Sequence, residues 1–272
     1  MIKQKILNIV MLIRQICECV RTFGFYYTLR LSIIILTQLL PITAKNSRFK
    51  IARYRCSCGY IFFAYYSDWW RFIKHFEPKT ITFLRSVVDN DKIVIDIGAH
   101  IGLHAIHLAK KAKLVICLEP EPNNYRLLKI NVKMNKLDNI IVLPIAASNK
   151  DDYVILYLSE RSSGAHTLEY SRSNLIQSRK NLRVLSRKVD TLLEQLGIRN
   201  VDIVKIDVEG HEEKVIEGMI ELLKRGYPKV FVVETMKGSN LLTYLCSRYG
   251  YRITSVLECW NNSCNYALTL QN

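Results

Sequence analysis

A chain of 272 residues, 49% of them hydrophobic, is long enough for one α/β domain of ordinary size together with an extension of about 80 residues. Because only 23% of the residues are charged and no repeat or low-complexity segment is visible, the composition excludes a disordered or repetitive protein. The net charge of +15 suits an anionic membrane surface, an acidic substrate or nucleic acid, although no motif for reading bases accompanies it.

Residues 1–80 are predicted to form a basic, hydrophobic extension, because they hold thirteen lysines or arginines against three acidic residues. Apolar side chains at helical spacing across residues 2–20 predict an amphipathic helix. Residues 23–43 are more apolar, but an arginine interrupts the run, and its uncharged part is shorter than the ~20 residues that span a bilayer. Packing on the protein is therefore expected, and peripheral membrane contact through residues 1–55 stays open.

The rest of the extension leads into the second predicted domain, residues 81–272. Residues 45–55 alternate in polarity, and a glycine separates them from the aromatic run 60–66, which together predict a β-hairpin. Helices are expected over residues 68–76 and 77–88. No cleavage site of small residues follows a short hydrophobic core, so the sequence predicts a cytoplasmic protein rather than a secreted one.

The chain has eight cysteines, which could indicate disulfides or a metal site. Their spacings, Cys-x-Cys twice and Cys-x4-Cys once, do not form a Cys-x-x-Cys ligand set. Most are therefore expected to be reduced thiols, and no metal site is predicted. A disulfide that uses Cys259 or Cys264 is left open.

The second domain is organised around an apolar run that ends in Asp96, Gly98 and Gly102, followed by a helix and a second apolar run that ends in Glu119. This order predicts a cofactor-binding βαβ unit, in which the glycines let the backbone approach a ligand and Glu119 reaches ribose hydroxyls. The spacing also suits a dinucleotide. However, the pattern is Gly-x-x-x-Gly rather than Gly-x-Gly-x-x-Gly, and Asp96 would repel a pyrophosphate. The zwitterionic S-adenosylmethionine fits these residues better.

Strands and helices alternate through the rest of this domain and close with a hairpin, which predicts an α/β fold with a doubly wound sheet and an antiparallel last strand. After the third strand, Ala147 is small enough to admit an adenine ring. Residues 159–180 have little periodicity and are predicted to form a mobile loop over the site. His166 in this loop is a candidate for substrate contact.

Four carboxylates stand at or near the ends of predicted strands, namely Asp96, Glu119, Asp207 and Glu234. Because the ligands of such sheets bind outside the carboxyl ends of the strands, these side chains are expected to gather along one edge. Asp207 is predicted to lie closest to a transferred methyl group, with Glu209, His211 and Glu234 around it.

Methyl transfer to a hydroxyl requires an aligned nucleophile and removal of its proton. Asp207 and His211 are the candidate bases, His211 because its unperturbed pKa is nearest neutrality. Glu209 is a further candidate catalytic residue, and Glu234 a candidate for substrate binding. Alternatively, Asp207, Glu209 and Glu234 could hold a divalent cation that acidifies the hydroxyl. A purely structural, exposed position for His211 at a helix start also stays open.

These motifs resemble those of the FkbM family of S-adenosylmethionine-dependent methyltransferases. Residues 94–102 look like the first motif, residues 118–122 like the end of the second strand, and residues 204–212 like the signature near the fourth strand. The resemblance covers about residues 69–234 and implies a Rossmann-like methyltransferase sheet, S-adenosylmethionine as donor, and O-methylation of a natural product or glycan. It implies cofactor contacts from Asp96, Gly98, Gly102 and Glu119. His100 stands where the family often has asparagine, and either side chain can donate a hydrogen bond.

The sequence therefore predicts a methyltransferase that acts on a hydroxyl of a glycan, a lipid-linked sugar or another small metabolite. The first alternative is a nucleic-acid methyltransferase, suggested by the net charge of +15. No Asn-Pro-Pro-Tyr-like tetrad follows the fourth strand, so a nucleic-acid partner is not expected. The second alternative is a non-catalytic membrane-surface protein that has kept the fold.

Overall fold

A computed structural model of the chain describes residues 51–56, 59–65, 68, 70–73, 76–160 and 162–271. The chain divides into two compact units, Met1–Phe76 and Glu77–Asn272. The helix predicted over residues 2–20, the apolar run 23–43 and with them most of the predicted membrane-contact segment lie outside the described residues. Within the described ranges, none of the helices has the length and apolarity needed to cross a membrane.

The described part of the first unit is a β-hairpin followed by a short helix. Strands β1 (Ile51–Arg55) and β2 (Ile61–Tyr65) pair in antiparallel fashion, which confirms the predicted hairpin. Helix α1 (Trp70–Ile73) follows. The rings of Tyr54 and Phe72 stack with their centroids 4.6 Å apart, so the hairpin and the helix share a small aromatic core.

The second unit alternates strands and helices, as the sequence predicts. In chain order its elements are α2 (Pro78–Val87), β3 (Ile93–Ile97), α3 (Leu103–Ala109), β4 (Leu114–Leu118), α4 (Pro122–Met134), β5 (Ile140–Leu143), β6 (Ala146–Ala147), β7 (Tyr153–Leu158), α5 (Tyr170–Ser173), β8 (Lys180–Arg187), α6 (Val189–Gln195), β9 (Ile203–Ile206), α7 (Glu212–Glu217), α8 (Ile220–Lys224), β10 (Val230–Met236), α9 (Asn240–Tyr249), β11 (Tyr251–Trp260) and β12 (Ser263–Leu270).

The main sheet has seven strands in the order β11-β12-β10-β9-β3-β4-β5. Strands β3, β4, β5, β9 and β10 pair in parallel, whereas β12 lies antiparallel between β10 and β11. The predicted doubly wound sheet with an antiparallel last strand is therefore confirmed. One detail is wrong: Glu234 lies inside β10 and not at its end, because β12 pairs with β10 as far as Met236.

Helices cover both faces of this sheet, and the residues of β3 alternate between two cores. Ile95 and Ile97 pack in the core that receives side chains from α6 to α9, such as Val215. Val94 packs in the other core, with Leu84 of α2 and Leu128 of α4. Burial of each such side chain contributes about 1.5 to 3 kcal/mol before the cost of chain ordering. The central strands are thereby fixed, and so are the loops that leave their carboxyl ends.

A separate three-stranded sheet in the order β6-β8-β7 was not predicted. Strand β8 pairs in parallel with β6 and antiparallel with β7. Because β6 has only two residues, its sequence shows no period from which a strand could be recognised. The described part of the connection between β7 and β8, residues 159–160 and 162–179, is joined to this sheet, and we call it the strap.

The helix predicted over residues 212–225 is divided into α7 and α8 around Gly218 and Met219. A Cβ atom on Gly218 would lie 2.0 Å from the carbonyl oxygen of Ser148, which shows how closely the backbone after β6 approaches this helix. The prediction of one continuous helix was wrong because this contact joins residues far apart in the chain.

Three described cysteines differ from the expectation of reduced thiols, because Cys56, Cys259 and Cys264 are disulfide-bonded. Cys259 and Cys264 form a disulfide between β11 and β12. They are directly paired across the hairpin, with Cα atoms 4.1 Å apart, and this register cannot be inferred from their spacing alone. Cys117, buried in β4, and Cys246 are free thiols as predicted.

Candidate active site

The loop after β3 depends on two glycines in the left-handed region, Gly98 with φ +80° and Gly102 with φ +89°. A Cβ atom on Gly98 would lie 1.8 Å from the carbonyl oxygen of Asp207, and one on Gly102 would lie 2.3 Å from a methyl carbon of Leu128. Both positions thus require glycine because other parts of the chain pack against them. From the sequence alone, these glycines are attributed to the approach of a ligand. Their contact with a cofactor stays a prediction.

Glu119 joins the end of β4 to this loop. Its side chain is buried, and its carboxylate accepts hydrogen bonds from the backbone N–H of His100 at 2.8 Å and from that of Glu121 at 2.9 Å. Burial raises the pKa of Glu119 to about 8 although these hydrogen bonds lower it. The position beside the first loop is the one expected for a ribose-binding carboxylate.

The strap lies against the same loop. The Nε2 atom of His100 is 2.8 Å from the hydroxyl of Ser163, and the Asn124 side-chain amide donates to the Ser163 carbonyl at 2.8 Å. His166, the predicted substrate contact, accepts a hydrogen bond on Nδ1 from the Ser159 backbone at 2.9 Å, and burial lowers its pKa. The strap is therefore hydrogen-bonded over the site, and His166 is held within the strap itself.

Ala147, predicted to face an adenine ring, lies in β6 and is only 3% exposed. Its side chain packs in the same core as Ile95 and Ile97 of β3. Its predicted contact with the cofactor is not tested by this packing and stays a prediction.

A buried lysine joins two of the predicted carboxylates. Lys205, in the middle of β9, is 1% exposed, and its ammonium lies 3.2 Å from Asp207 Oδ2 and 3.7 Å from Asp96 Oδ1. Burial by itself would lower the pKa of Lys205, but the carboxylates of Asp207, Asp96 and Glu77 raise it above the ordinary range. The ion pairs bring the end of β3 and the end of β9 together, as the sequence predicted for Asp96 and Asp207.

Glu234 and Glu77 complete this group of charges. One carboxylate oxygen from each of Glu77, Asp207 and Glu234 lies within 4.8 Å of the others. Glu77 is buried just ahead of α2 and is 3.0 Å from Nε2 of His104. We call Glu77, Asp96, Lys205, Asp207 and Glu234 the carboxylate cluster.

The cation site predicted as an alternative consisted of Asp207, Glu209 and Glu234, whereas the structure groups Glu77, and not Glu209, with the other two. Glu209 instead accepts a hydrogen bond from Arg172 at 3.1 Å, and its carbonyl accepts one from the Thr167 hydroxyl at 2.7 Å. Both partners belong to the strap. Glu209 therefore links the strap to the loop between β9 and α7, residues 207–211, which we call the signature loop. The cation that lies against Asp207 is the ammonium of Lys205.

His211 is buried, and both of its ring nitrogens are engaged. Nδ1 lies 2.6 Å from Glu169 Oε1, and Nε2 lies 2.9 Å from the Ser148 hydroxyl. Burial lowers the pKa of His211, and the nearby Glu169 acts in the opposite direction. A base needs a free nitrogen, so His211 would first have to exchange one of these hydrogen bonds. The carboxylate of Asp207, 24% exposed, is the more accessible candidate.

The strap, the signature loop and the loop after β10 enclose a cavity of about 500 Å³, which we call the acceptor cavity. It opens beside Glu234 of the carboxylate cluster. Hydroxyl, amide and charged side chains dominate its lining, which consists of Glu169, Ser171, Arg172, Glu209, Gly210, Glu212, Glu213, Glu234, Thr235, Met236, Lys237, Gly238, Ser239, Asn240 and Ser263.

Sequence reasoning assigned no role to several residues of this site. Lys205 carried a signal, because a lysine inside the apolar strand Ile203–Ile206 must be buried and therefore paired. No sequence pattern indicated Glu77, because it lies at the start of a helix and not at the end of a strand. Glu169, Ser148 and Ser163 lie in segments without periodicity, and only the folded chain brings them to His211 and His100.

Burial and the carboxylates of Asp207, Glu209 and Glu77 raise the pKa of Glu234 to about 9, with Lys205 opposing them. The folded chain thus keeps this proton to a higher pH than the unfolded chain, whose value is near 4.5, and the free energy of unfolding falls as the pH rises between these limits. Glu234→Gln removes this dependence. We expect it to change the Tm little at pH 5 and to raise it by about 5 °C at pH 9.

Differential scanning calorimetry of the wild type and Glu234→Gln at both pH values checks this prediction. Glu194→Gln, on the exposed face of α6, is the control and should follow the wild type. A Tm difference for Glu234→Gln that does not grow with pH would contradict the prediction.

The sheet, the glycine loop after β3 and the carboxylate at the end of β4 give the chain the Rossmann-like fold of the class of methyltransferases that use S-adenosylmethionine. The chain belongs to the FkbM methyltransferase family, since the family profile described as "Methyltransferase FkbM domain" matches residues 96–253, more than half of the chain. The predicted family, fold class and cofactor are thus confirmed.

Two curated relatives are among the proteins that this chain is similar to. The 2-O-methyltransferase NoeI of Sinorhizobium fredii is 27% identical over 151 residues, which is 50% of this chain and 60% of that protein. The hexuronic acid methyltransferase AglP of Haloferax volcanii is 28% identical over 149 residues, 54% of this chain and 58% of that protein. The chain thus spans less than two thirds of the length of either relative.

Among solved structures, M. jannaschii TYW2 in complex with AdoMet matches with a TM-score of 0.46 and 17% sequence identity. The match covers 81% of this chain and 84% of that one.

Proposed function

We propose that this methyltransferase transfers the methyl group of S-adenosylmethionine to a hydroxyl oxygen of a sugar. The observation that carries the proposal is the acceptor cavity of about 500 Å³, which opens beside the carboxylate cluster and has a polar lining. A cavity of this volume can hold a small molecule or a few sugar residues of a glycan. The acceptor is a glycan, a lipid-linked sugar or a related small metabolite.

The residues around the first loop fit the cofactor. Asp96 is fully buried and its Oδ1 lies 3.7 Å from the Lys205 ammonium, but neither carboxylate oxygen has a hydrogen-bond partner among the described residues, so the ammonium group of the cofactor could donate one. Each Glu119 oxygen accepts one backbone hydrogen bond and keeps a lone pair for a ribose hydroxyl. We therefore assign Asp96 to the amino-acid end of the cofactor and Glu119 to its ribose.

When bound, S-adenosylmethionine supplies a methyl group, whose bond to the acceptor oxygen forms as its bond to sulfur breaks and the electron pair stays on sulfur. The acceptor hydroxyl must also lose its proton. Asp207 is the residue to which we assign this proton, because it is the accessible carboxylate at the end of β9. Lys205 fixes the Asp207 carboxylate through the 3.2 Å ion pair and is a positioning residue.

The lining of the acceptor cavity supports a sugar as the acceptor. Side chains of Ser171, Thr235, Ser239, Asn240 and Ser263 offer hydroxyl and amide groups that can donate and accept hydrogen bonds. Met236 is 55% exposed and offers an apolar surface for one face of a ring. The printed names of NoeI and AglP, a 2-O-methyltransferase and a hexuronic acid methyltransferase, agree with this class of acceptor.

A nucleic-acid acceptor is less well supported. The net charge of +15 would favour a polyanion, but glutamates outnumber cationic residues in the lining of the acceptor cavity. Phosphate groups that approached this cavity would meet more carboxylates than lysines and arginines, the residues that phosphate contacts require. An RNA sample belongs in the acceptor panel as the corresponding test.

The test is transfer of a labelled methyl group to a panel of oligosaccharides and glycosides by the wild type and by Asp207→Asn. We expect Asp207→Asn to lower turnover about 10² to 10⁴-fold, because the acceptor proton has no base, while the affinity for S-adenosylhomocysteine measured by calorimetry stays within about threefold. Asp138→Asn, an exposed loop variant, should keep full activity.

Two results would contradict the proposal. Full activity of Asp207→Asn would remove Asp207 from the role of base. Labelling of RNA alone, with no sugar labelled although S-adenosylhomocysteine binds, would overturn the sugar as acceptor.

A further inference from the structure

Three of the five glutamates in the lining of the acceptor cavity are already used by the protein. The Glu209 carboxylate accepts a hydrogen bond from Arg172 at 3.1 Å, and the Glu212 carboxylate accepts one from the backbone N–H of Gly210 at 2.8 Å. The pKa of Glu234 is raised to about 9, so this group keeps its proton near neutrality. Two carboxylates of the lining are thus left for a ligand.

Of these two, Glu213 is exposed on the first turn of α7, whereas Glu169 is held in one direction by a buried histidine. Oε1 of Glu169 lies 2.6 Å from Nδ1 of His211, and Nε2 of His211 lies 2.9 Å from the Ser148 hydroxyl. Burial lowers the pKa of His211, which favours the neutral ring, and in this form Nδ1 donates to Glu169 while Nε2 accepts from Ser148. The contact of the same hydroxyl with Asn149 Oδ1 is longer, at 3.4 Å, and weaker.

The backbone at Glu169 is fixed as well. Its N–H donates to the Thr167 hydroxyl at 3.0 Å, and this hydroxyl donates to the Glu209 carbonyl at 2.7 Å. Thr167 also exchanges two backbone hydrogen bonds with Tyr157 of β7, at 2.8 and 3.1 Å. Both ends of Glu169 are therefore held in place before a ligand arrives, which lowers the entropy that binding would cost.

The second carboxylate oxygen of Glu169, Oε2, is available to a ligand. No residue in the described part of the chain donates a hydrogen bond to it, and the side chain is 34% exposed in the lining of the acceptor cavity. A carboxylate oxygen accepts hydrogen bonds from hydroxyl groups, and such bonds are stronger than those to a neutral acceptor. The cavity thus offers a sugar hydroxyl one carboxylate oxygen in a fixed position.

We propose that Glu169 binds a hydroxyl of the sugar acceptor through Oε2, and that His211 and Ser148 are positioning residues that hold its carboxylate in the acceptor cavity. This inference rests on the proposed function, because it names an acceptor-binding residue in the same cavity. The proton of the reacting hydroxyl is assigned to Asp207, so Glu169 takes a second hydroxyl of the same sugar. His211 then serves the reaction without being its base, in agreement with the engagement of both ring nitrogens.

Glu169→Gln tests the binding role. The probes are p-nitrophenyl β-D-glucoside, β-D-galactoside, α-D-mannoside and α-L-rhamnoside with the oligosaccharides of the acceptor panel, and the sugar that the wild type labels most is used for kinetics. We expect KM for this sugar to rise about tenfold and kcat to stay within about threefold, because the hydrogen bond holds the substrate and the transition state alike. Glu160→Gln, an exposed glutamate of the strap outside the cavity lining, is the control and should change neither constant.

Two variants of His211 distinguish positioning from a merely structural role. The amide nitrogen of asparagine can take the place of Nδ1, whereas that of glutamine reaches the place of Nε2. His211→Asn therefore keeps a donor for Glu169, and its KM should stay within about threefold of the wild type, while His211→Gln should raise KM about tenfold. In the double variant Glu169→Gln/His211→Gln the two effects should not add, because both changes break the same hydrogen bond. Thermal unfolding and the affinity for S-adenosylhomocysteine compare the integrity of the variants.

Four results would each overturn the inference: an unchanged KM in Glu169→Gln, a loss confined to kcat, equal KM values for the two His211 variants, or additive effects in the double variant. In all four the wild type still methylates a sugar, so the proposed function stands. If the wild type methylates none of the sugars, the proposed function is wrong and the inference falls with it.

Discussion

Lys205→Met is expected to lower the free energy of unfolding by about 3 to 5 kcal/mol near pH 8. Methionine keeps the length and much of the apolar surface of the lysine stem, so the loss comes mainly from the ammonium. Without it, the buried carboxylate of Asp96 and the neighbouring carboxylate of Asp207 lose the cation that lies 3.7 and 3.2 Å away. The neighbouring Glu77 also interacts electrostatically with this ammonium.

The pH dependence of this effect identifies its cause. The folded-state pKa of Lys205 is raised, so its stabilising contribution is fully present near neutrality and is lost only as the pH rises through that high value. In Lys205→Met the unpaired carboxylates can instead become neutral by taking up protons as the pH falls. Urea unfolding should therefore show a smaller difference from the wild type at pH 5 than at pH 8.

Lys92→Met is the matched control, because it makes the same substitution in an ion pair that is open to solvent. The ammonium of Lys92 lies 2.9 Å from Asp91, whose side chain is 69% exposed. Such pairs contribute about 0 to 1 kcal/mol. If Lys205→Met were no more destabilising than Lys92→Met, Lys205 would not hold the carboxylate cluster together.

Gly98→Ala is expected to destabilise the chain by more than about 4 kcal/mol, enough to prevent recovery of folded protein at 37 °C. The added Cβ atom would lie 1.8 Å from the carbonyl oxygen of Asp207, and φ at this position is +80°. The clash is with backbone, so no side-chain rotation relieves it. Either β3 or β9 has to move, and both are buried strands in the middle of the sheet.

Gly197→Ala is the control that distinguishes the effect of the steric clash from the effect of a positive φ angle. Gly197 has φ +66°, and a Cβ atom there would meet no atom within 4 Å, so we expect a cost of only about 1 to 2 kcal/mol. Circular dichroism and thermal unfolding without cofactor compare the two variants. Equal stability losses would show that the loop after β3 can yield, and the internal role assigned to Gly98 would be wrong.

The parts of the fold that follow from local pattern were predictable. The apolar runs of β3 and β4 are buried on both faces, so their bounds agree with those expected from the sequence. The parts that depend on pairing between distant segments were not. Strand β6 is recognisable only from its pairing with β8, and the break between α7 and α8 arises from contact with the backbone of Ser148.

The residues of the candidate site likewise fall into those that local sequence pattern predicts and those that depend on contacts between distant segments. Asp96, Asp207 and Glu234 could be grouped from sequence because parallel strands place their carboxyl ends at one edge. Glu77 joins them from a helix start, where no periodic pattern indicates its direction. Its backbone, with φ +48°, precedes a helix whose first turn donates hydrogen bonds from Thr80 to Glu258 of β11. That arrangement depends on residues 178 positions apart in the chain.

The pairing of β3 with β9 determines when the site can exist during folding. The backbone N–H of Ile93 donates to Asp202 at 2.9 Å across a separation of 109 residues, and Asp96 meets Lys205 over the same distance in sequence. Closing so long a loop costs more entropy than forming the neighbouring β3 and β4 pair, so it is expected to come late. A chain that has assembled only residues 77–150 lacks Lys205 and Asp207, and the Asp207 carbonyl that packs against Gly98 is missing from the loop after β3. Cofactor affinity therefore reports completion of the sheet, and a nascent or truncated chain without β9 is expected to have no transferase site.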